Sequence, residues 1–141
     1  MKIQRVPADA KVRALLAANH LPIDDLDDPT IQLFGAFDRD ALTAVIGLQL
    51  LDGAGLLRSL AVEQAHRECG LGGRMCDEVL RAARSHKLDL LWLLTTSARD
   101  YFTRRGFQVV PRDQVPSTIR ATAQFSSLCP SSATVMRRQL D

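Results

Sequence analysis

The chain has 141 residues, of which 46% are hydrophobic and 24% charged, with a formal net charge of +2. That length suits one domain, expected over residues 1–141, and the ordinary globular composition excludes a disordered or fibrous chain. So small a positive excess excludes nucleic acid as a partner suggested by charge alone. The cysteines Cys69, Cys76 and Cys129 are an odd, sparse set without paired spacing, which argues against a disulfide framework and against a metal site. The N-terminus has no apolar core of a signal peptide, and no apolar run approaches the ~18 residues of a membrane span. A soluble cytoplasmic protein is the expectation.

Lys2 to Val6 reads as a short strand, and Pro7 is placed in the first turn of a helix that ends near His20. Val12, Leu15, Leu16 and Asn19 form its stripe. Leu21 to Thr30, with two prolines and four aspartates, reads as a loop. Ile31–Phe37, Ala41–Leu51 and Leu56–Val62 are apolar runs separated by short polar or glycine-containing breaks, the pattern of antiparallel hairpins. The period then changes. Leu71, Met75, Val79 and Ala82, with Cys76, Leu80 and Ala83, recur at helical spacing and predict an amphipathic helix of about four turns.

Leu88 to Thr95 is an apolar run suited to a strand buried on both faces, which completes a right-handed βαβ unit. Ser97 is either an N-cap for a helix through Arg105 or a hydroxyl near the chemistry. Gly106 stops that helix. Phe107–Val110 is a short strand, Pro116–Phe125 a helix and Ala133–Leu140 a last strand, which offers a pairing edge for a homodimer.

Between the strand ending at Val62 and the amphipathic helix lies Arg67-Glu68-Cys69-Gly70-Leu71-Gly72-Gly73. Glycines opening a helix leave backbone N–H groups free at its positive end, an arrangement suited to phosphate or pyrophosphate. Arg67 adds a cation. Neither a P-loop nor a dinucleotide-binding glycine pattern is present. The alternative is a glycine-rich helix start without a ligand.

Leu60-Ala61-Val62 followed by Arg67-x-x-Gly70-x-Gly72 resembles the acyl-CoA motif of the GNAT superfamily, and Ala98-x-x-Tyr101-Phe102-x-x-x-Gly106-Phe107 resembles its second element. The resemblance implies an α/β fold with a mixed, centrally splayed sheet and helices on both faces. It also implies acetyl-CoA as co-substrate, its pyrophosphate on the backbone from Glu68 to Gly73. Its pantetheine arm would run between the strands ending at Val62 and Thr95. The family tyrosine that protonates the departing thiolate is replaced by Phe102. Tyr101, about 100° round the helix, is either a substitute donor or a packed tyrosine.

Leu57 to Val62 and Leu94-Thr95-Thr96 are similar to the acetyltransferase part of N-acetylglutamate synthases. The run from Leu93 to Phe107, followed by Val110–Asp113, Ile119–Thr122 and Ser127–Pro130, is similar to arsenic-resistance N-acetyltransferases. Both imply transfer to the α-amino group of a small acidic amino acid, or of an arsenic or phosphorus analogue of glutamate, within a ternary complex.

Such a substrate needs cations, and arginine offers the best fork for an oxyanion. Arg58 interrupts an apolar strand and is either a ligand, with Ser59 beside it, or a solvated strand end. Alternation puts it on one face with Leu60 and Val62. Arg112 and Arg120 are further candidates. Asp24 and Asp25 either meet an amine or keep their loop soluble. Glu63 is a general base acting through water or a turn cap. A backbone N–H near Ala61 or Val62 is expected to meet the developing oxyanion. Two other functions remain open: a CoA-binding regulatory module, suggested by Phe102, and a peptide acetyltransferase.

Overall fold

The computed structural model describes residues 1–67, 69–129 and 132–140. Seven strands form one sheet: β1 (Lys2–Val6), β2 (Ile31–Asp38), β3 (Ala41–Leu50), β4 (Ala54–Val62), β5 (Leu90–Thr95), β6 (Gln108–Val109) and β7 (Thr134–Gln139). Their order is β1-β2-β3-β4-β5-β7-β6. Every neighbouring pair is antiparallel except β4 and β5, joined through α2 (Leu71–Ser85). The mixed sheet of an α/β fold is therefore present. β7 lies inside the sheet, so it does not offer the free pairing edge expected of it; the edge is the two-residue β6.

Side chains from the two faces of the sheet pack into three apolar clusters. Phe34, Ile46, Leu57, Leu91, Leu93 and Met136 pack against Leu71, Met75, Val79 and Ala83 of α2 and against Phe102 of α3 (Arg99–Arg104). Leu33, Val45 and Ala61 turn the other way, onto Val12 and Leu16 of α1 (Ala10–Ala18). Leu56, Trp92 and Val135 meet Val115 and Ile119 of the C-terminal segment, which contains α4 (Ser117–Arg120). Helices thus cover both faces, and the amphipathic stripe read for α2 is its buried face.

Four of the differences from the sequence reading have a clear local description. α1 starts at Ala10 because the Asp9 carboxylate accepts from the Val12 N–H at 3.0 Å, an N-cap that places Pro7 outside the helix. β5 starts at Leu90; Asp89 stays exposed, its N–H bonded to Gly53 O at 3.2 Å. α3 starts at Arg99 with Ala98, not Ser97, at its N-cap position and no side-chain cap; the Ala98 N–H donates back to Thr95 Oγ1 at 3.0 Å. Its end follows the expectation, with Gly106 at φ +91° and the Phe107 N–H on Phe102 O at 3.0 Å.

The fourth difference is the 116–125 helix. α4 covers only Ser117–Arg120, and a π-turn follows at Gln124–Leu128. Thr122 makes the break. Its hydroxyl donates to Ile119 O at 2.7 Å and accepts from the Phe125 N–H at 3.3 Å, replacing the helical ladder by side-chain bonds.

Candidate active site

β4 and β5 pair only from Ala54 to Leu56 against Leu90 to Trp92. Beyond that point the two strands part. The gap opens into a cleft of about 260 Å³, lined by Leu57–Leu60 of β4, Leu93–Thr95 of β5, and Ser97, Tyr101 and Phe102. His20–Pro22 and Gln124, Leu128 and Cys129 close its remaining sides. A wider groove of about 620 Å³ between the end of α3 and β7 is walled by arginines and glutamines and touches none of these residues.

A bulge in β4 decides what faces the cleft. Gly47 pairs with Arg58 and Val45 with Ala61, so Ser59 and Leu60 together oppose Ile46 alone. Ser59 takes the strained left-handed backbone, φ +59°. The expected alternation is therefore broken. Leu60 and Val62 pack on the α2 side, whereas Arg58 and Ala61 lie toward α1. Opposite Arg58 stands Gly47, whose added Cβ would lie 3.1 Å from Arg58 Cγ, so the absence of a side chain there admits the arginine stem. The bulge also fixes the backbone donors. Glu63 N–H donates across to Thr43 O at 2.7 Å, which turns the Val62 N–H to the opposite edge, into the gap. Of the two oxyanion candidates, Val62 is the one aimed there. Ala61 directs its own N–H toward β3 and its side chain into the α1 core.

The turn after β4 leads into the N-terminus of α2. Arg67 is exposed, held by Nε to Val62 O at 3.1 Å and Nη2 to Asn19 Oδ1 at 2.7 Å. Asn19, assigned to the apolar stripe of α1 by spacing, is thus a tether for the turn. Glu68 lies outside the described residues. Cys69 is exposed and its thiol donates to His66 O at 2.7 Å. Gly70 caps the helix at φ +81° with open space on its side-chain side. Leu71 is buried in the core. Gly72 faces Tyr101 Oη, which a Cβ would meet at 3.6 Å, and Gly73 lies under Arg105.

Arg105 was not singled out by sequence. It donates to Gly73 O at 3.1 Å and pairs with Asp77 at 2.7 Å, locking the first turn of α2 to the end of α3. Only the tertiary contact reveals it. With Arg67 and Arg105 nearby, no acidic residue in the first turn of α2, and bare glycine backbone, the turn fits a pyrophosphate.

Phe102 is buried at the cleft wall, edge to face with Tyr101 at 5.2 Å and Phe107 at 5.6 Å. Tyr101 is half-buried and lines the cleft. Burial, then the neighbouring Cys76, holds the phenol above its ordinary range, so it keeps its proton at neutral pH and can donate. Burial likewise pushes the Cys76 thiol up. Thr95 ties the gap between the strands to the start of α3 through its bond with the Ala98 N–H. Thr95→Val should lower stability by about 1 kcal/mol, read as a drop in urea midpoint; an unchanged midpoint would show that this hydrogen bond does not stabilise the fold.

Arg58 is 3% exposed. Its Nη1 and Nη2 each lie 2.5 Å from one carboxylate oxygen of Asp25, and Nε donates to Ser59 Oγ at 3.1 Å. Asp25 is therefore no solubilising loop residue; its side chain is largely buried against Arg58. Arg58 and Ser59 line the cleft, while Arg112 and Arg120 do not. Arg112 and Arg120 stack on Phe125 at 5.0 and 5.8 Å and donate to Ala133 O and Val115 O. Glu63 sits 3.3 Å from His66 Nδ1, away from the cleft lining. Cys129 lines the cleft, its thiol 3.4 Å from Gln124 Oε1 and its pKa pushed up by burial. Among the described residues no three His, Cys, Asp or Glu side chains gather as a metal site, and no helix is long and apolar enough to cross a membrane.

The sequence profile of the "Acetyltransferase (GNAT) domain" matches residues 29–109, from β2 through the parted strands and the turn to β6. Two curated relatives, each named amino-acid acetyltransferase, from Neisseria meningitidis serogroups A and B, are 32% identical over 66 residues. That alignment takes in 47% of this chain, which spans only about 15% of the relatives' length. An acetyltransferase of the GNAT family from Staphylococcus aureus superposes with a TM-score of 0.79 at 18% identity, covering 99% of this chain and 100% of that one. N-acetylglutamate synthase from Neisseria gonorrhoeae, crystallised with coenzyme A and N-acetyl-glutamate, gives 0.80 at 18% identity, covering 100% of this chain and 36% of that one. The fold is thus shared with these proteins, and the profile match over more than half of the chain shows that it belongs to the GNAT family of acetyltransferases, whose typical co-substrate is acetyl-CoA.

Proposed function

We propose that the protein acetylates the α-amino group of a small acidic amino acid, or of an arsenic or phosphorus analogue of glutamate, by direct transfer in a ternary complex. The observation that supports this reading is one buried arginine, Arg58, in the wall of the same small cleft that the parted strands open toward the cofactor turn. A guanidinium in the cleft wall selects an oxyanion. The names of the Neisseria relatives agree with an amino-acid acceptor.

In this reading the backbone from Cys69 to Gly73, with Glu68, Arg67 and Arg105, holds the pyrophosphate. Leu60, Val62, Thr95 and Phe102 border the acyl arm. Acetyl-CoA supplies an acetyl group already activated as a thioester. The Val62 N–H polarises the acyl carbonyl. Arg58 and Ser59 orient the acceptor; Arg112 and Arg120 act only through the packing of Phe125. With Glu63 away from the cleft, water accepts the amine proton. Tyr101 donates a proton to the departing sulfur, with Ser97 as a second hydroxyl at the cleft mouth.

Incubating the protein with acetyl-CoA and a panel of acidic amino acids and their analogues, and titrating released CoA thiol, tests the proposal. Initial-rate lines should intersect as both substrates vary, as a ternary complex requires; absence of turnover with every amine would leave a binding module. Tyr101→Phe should lower kcat by about 100-fold and remove the alkaline fall in rate. That fall is expected because the active phenol is protonated and its pKa is raised, so activity is retained at neutral pH and lost as pH rises through it. An unaltered profile would remove Tyr101 from the chemistry.

A further inference from the structure

Arg58 is poised for a carboxylate, and its fork is already filled by one. Nη1 and Nη2 meet the two oxygens of Asp25 at 2.5 Å each, the parallel arrangement that a planar guanidinium offers any carboxylate. Ser59 Oγ takes the Nε proton at 3.1 Å, and Gln49 Oε1 stands 3.5 Å from Nη1. The arginine side chain is wholly buried, whereas Asp25 keeps 13% of its side chain exposed. The two partners also differ in mounting. Arg58 is fixed in a bulged central strand, with Gly47 moulded to its stem. Asp25 belongs to the connection between α1 and β2, outside any helix or strand, and the same connection supplies Leu21 and Pro22 to the cleft wall. Arg58 and Cys129 line that same wall, so the Arg58 end of the pair faces the cleft.

We propose that Asp25 is the specificity-determining residue of the acceptor site: its carboxylate is an internal occupant of the Arg58 fork, and the acceptor's carboxylate or equivalent oxyanion takes its place. The inference rests on the acidic-acceptor reading above. Exchange of one carboxylate for another conserves the charge-assisted bonds and never leaves the buried guanidinium bare. Asp25, on an irregular segment and already partly exposed, moves to water. A neutral acceptor offers no such exchange, because breaking a buried pair from one side leaves an uncompensated charge. The pair therefore excludes acceptors without an anionic group at that position.

Asp25→Asn, which keeps shape, and Asp25→Ala, which opens the fork, test this in the full chain with two readouts. In sodium chloride both variants should melt several degrees below the parent. Sodium formate at equal ionic strength should restore at least half of that loss, saturably, while the parent gains nothing beyond its value in chloride. With an acidic amino acid as acceptor, Asp25→Asn should lower the acceptor KM at least fivefold and leave the KM for acetyl-CoA unchanged. Absence of formate-specific rescue in both variants overturns the exchange, whether or not any acceptor is turned over. Rescue with an unchanged or raised acceptor KM overturns the role in specificity. Rescue without turnover of any acidic acceptor supports the exchange and refutes the acceptor reading instead.

Discussion

Gly72→Val should weaken acetyl-CoA binding by at least about 100-fold, near 2.7 kcal/mol, with little change in melting temperature. Gly72 is the second residue of α2, and its side-chain direction opens toward Tyr101 Oη and Val62 at 3.6 and 4.0 Å. A Cβ alone is in ordinary contact there, so alanine is tolerated. The two methyl groups of valine extend past that distance into the space between the turn and Tyr101, where the pyrophosphate must approach the backbone N–H groups. The fold is spared because Gly72 is only half-buried and outside the packed stripe of the helix. Calorimetry with acetyl-CoA reads the affinity. Parent-like binding by a folded Gly72→Val protein would falsify the placement of the pyrophosphate on this turn. Arg67→Ala should give a smaller loss, because Arg67 is exposed and its charge is screened.

Arg58→Met should lower the unfolding free energy by about 3 kcal/mol, read as a shift of the urea midpoint. Methionine fills the stem beside Gly47 but leaves Asp25, Gln49 and Ser59 without the guanidinium they meet at 2.5, 3.5 and 3.1 Å. The loss falls at the low end of what a broken buried pair costs, since Asp25 regains water when its loop shifts. The double variant Arg58→Met/Asp25→Leu should recover most of the stability, because a buried ion pair replaced by apolar side chains of similar size is close to neutral. A double variant as unstable as the single one would mean that packing at Gly47, not charge, is what Arg58 provides. Acetyl transfer to acidic acceptors should be lost in both variants, since neither holds a fork.

The helix positions of α2, the glycine turn and the Gly106 stop were legible because each rests on local chemistry: an apolar period, backbone freedom and a left-handed cap. The pairing of that turn with the Ala98 to Phe107 element pointed to the family. Contacts distant in sequence were not legible. Asn19 looked like one more stripe residue, yet its amide oxygen anchors Arg67, and Arg105 gave no local signal for its hold on Gly73 and Asp77. Arg112 and Arg120 had the right chemistry for an oxyanion, but Phe125 and nearby carbonyls engage them away from the cleft.

The opposite fates of Leu60 and Arg58 mark the division most clearly. By itself the sequence determined that an apolar strand holding one arginine runs into a glycine-opened helix, a pattern suited to an anion. Which way the arginine faces was a tertiary matter. A single left-handed residue, Ser59, inserts one extra position opposite Ile46 and reverses the alternation that follows. Alternation is a rule of regular pairing, and the register of a bulge is set by β3 and the helices packed behind it. Only there does Arg58 turn to Asp25 and Val62 present its N–H to the gap.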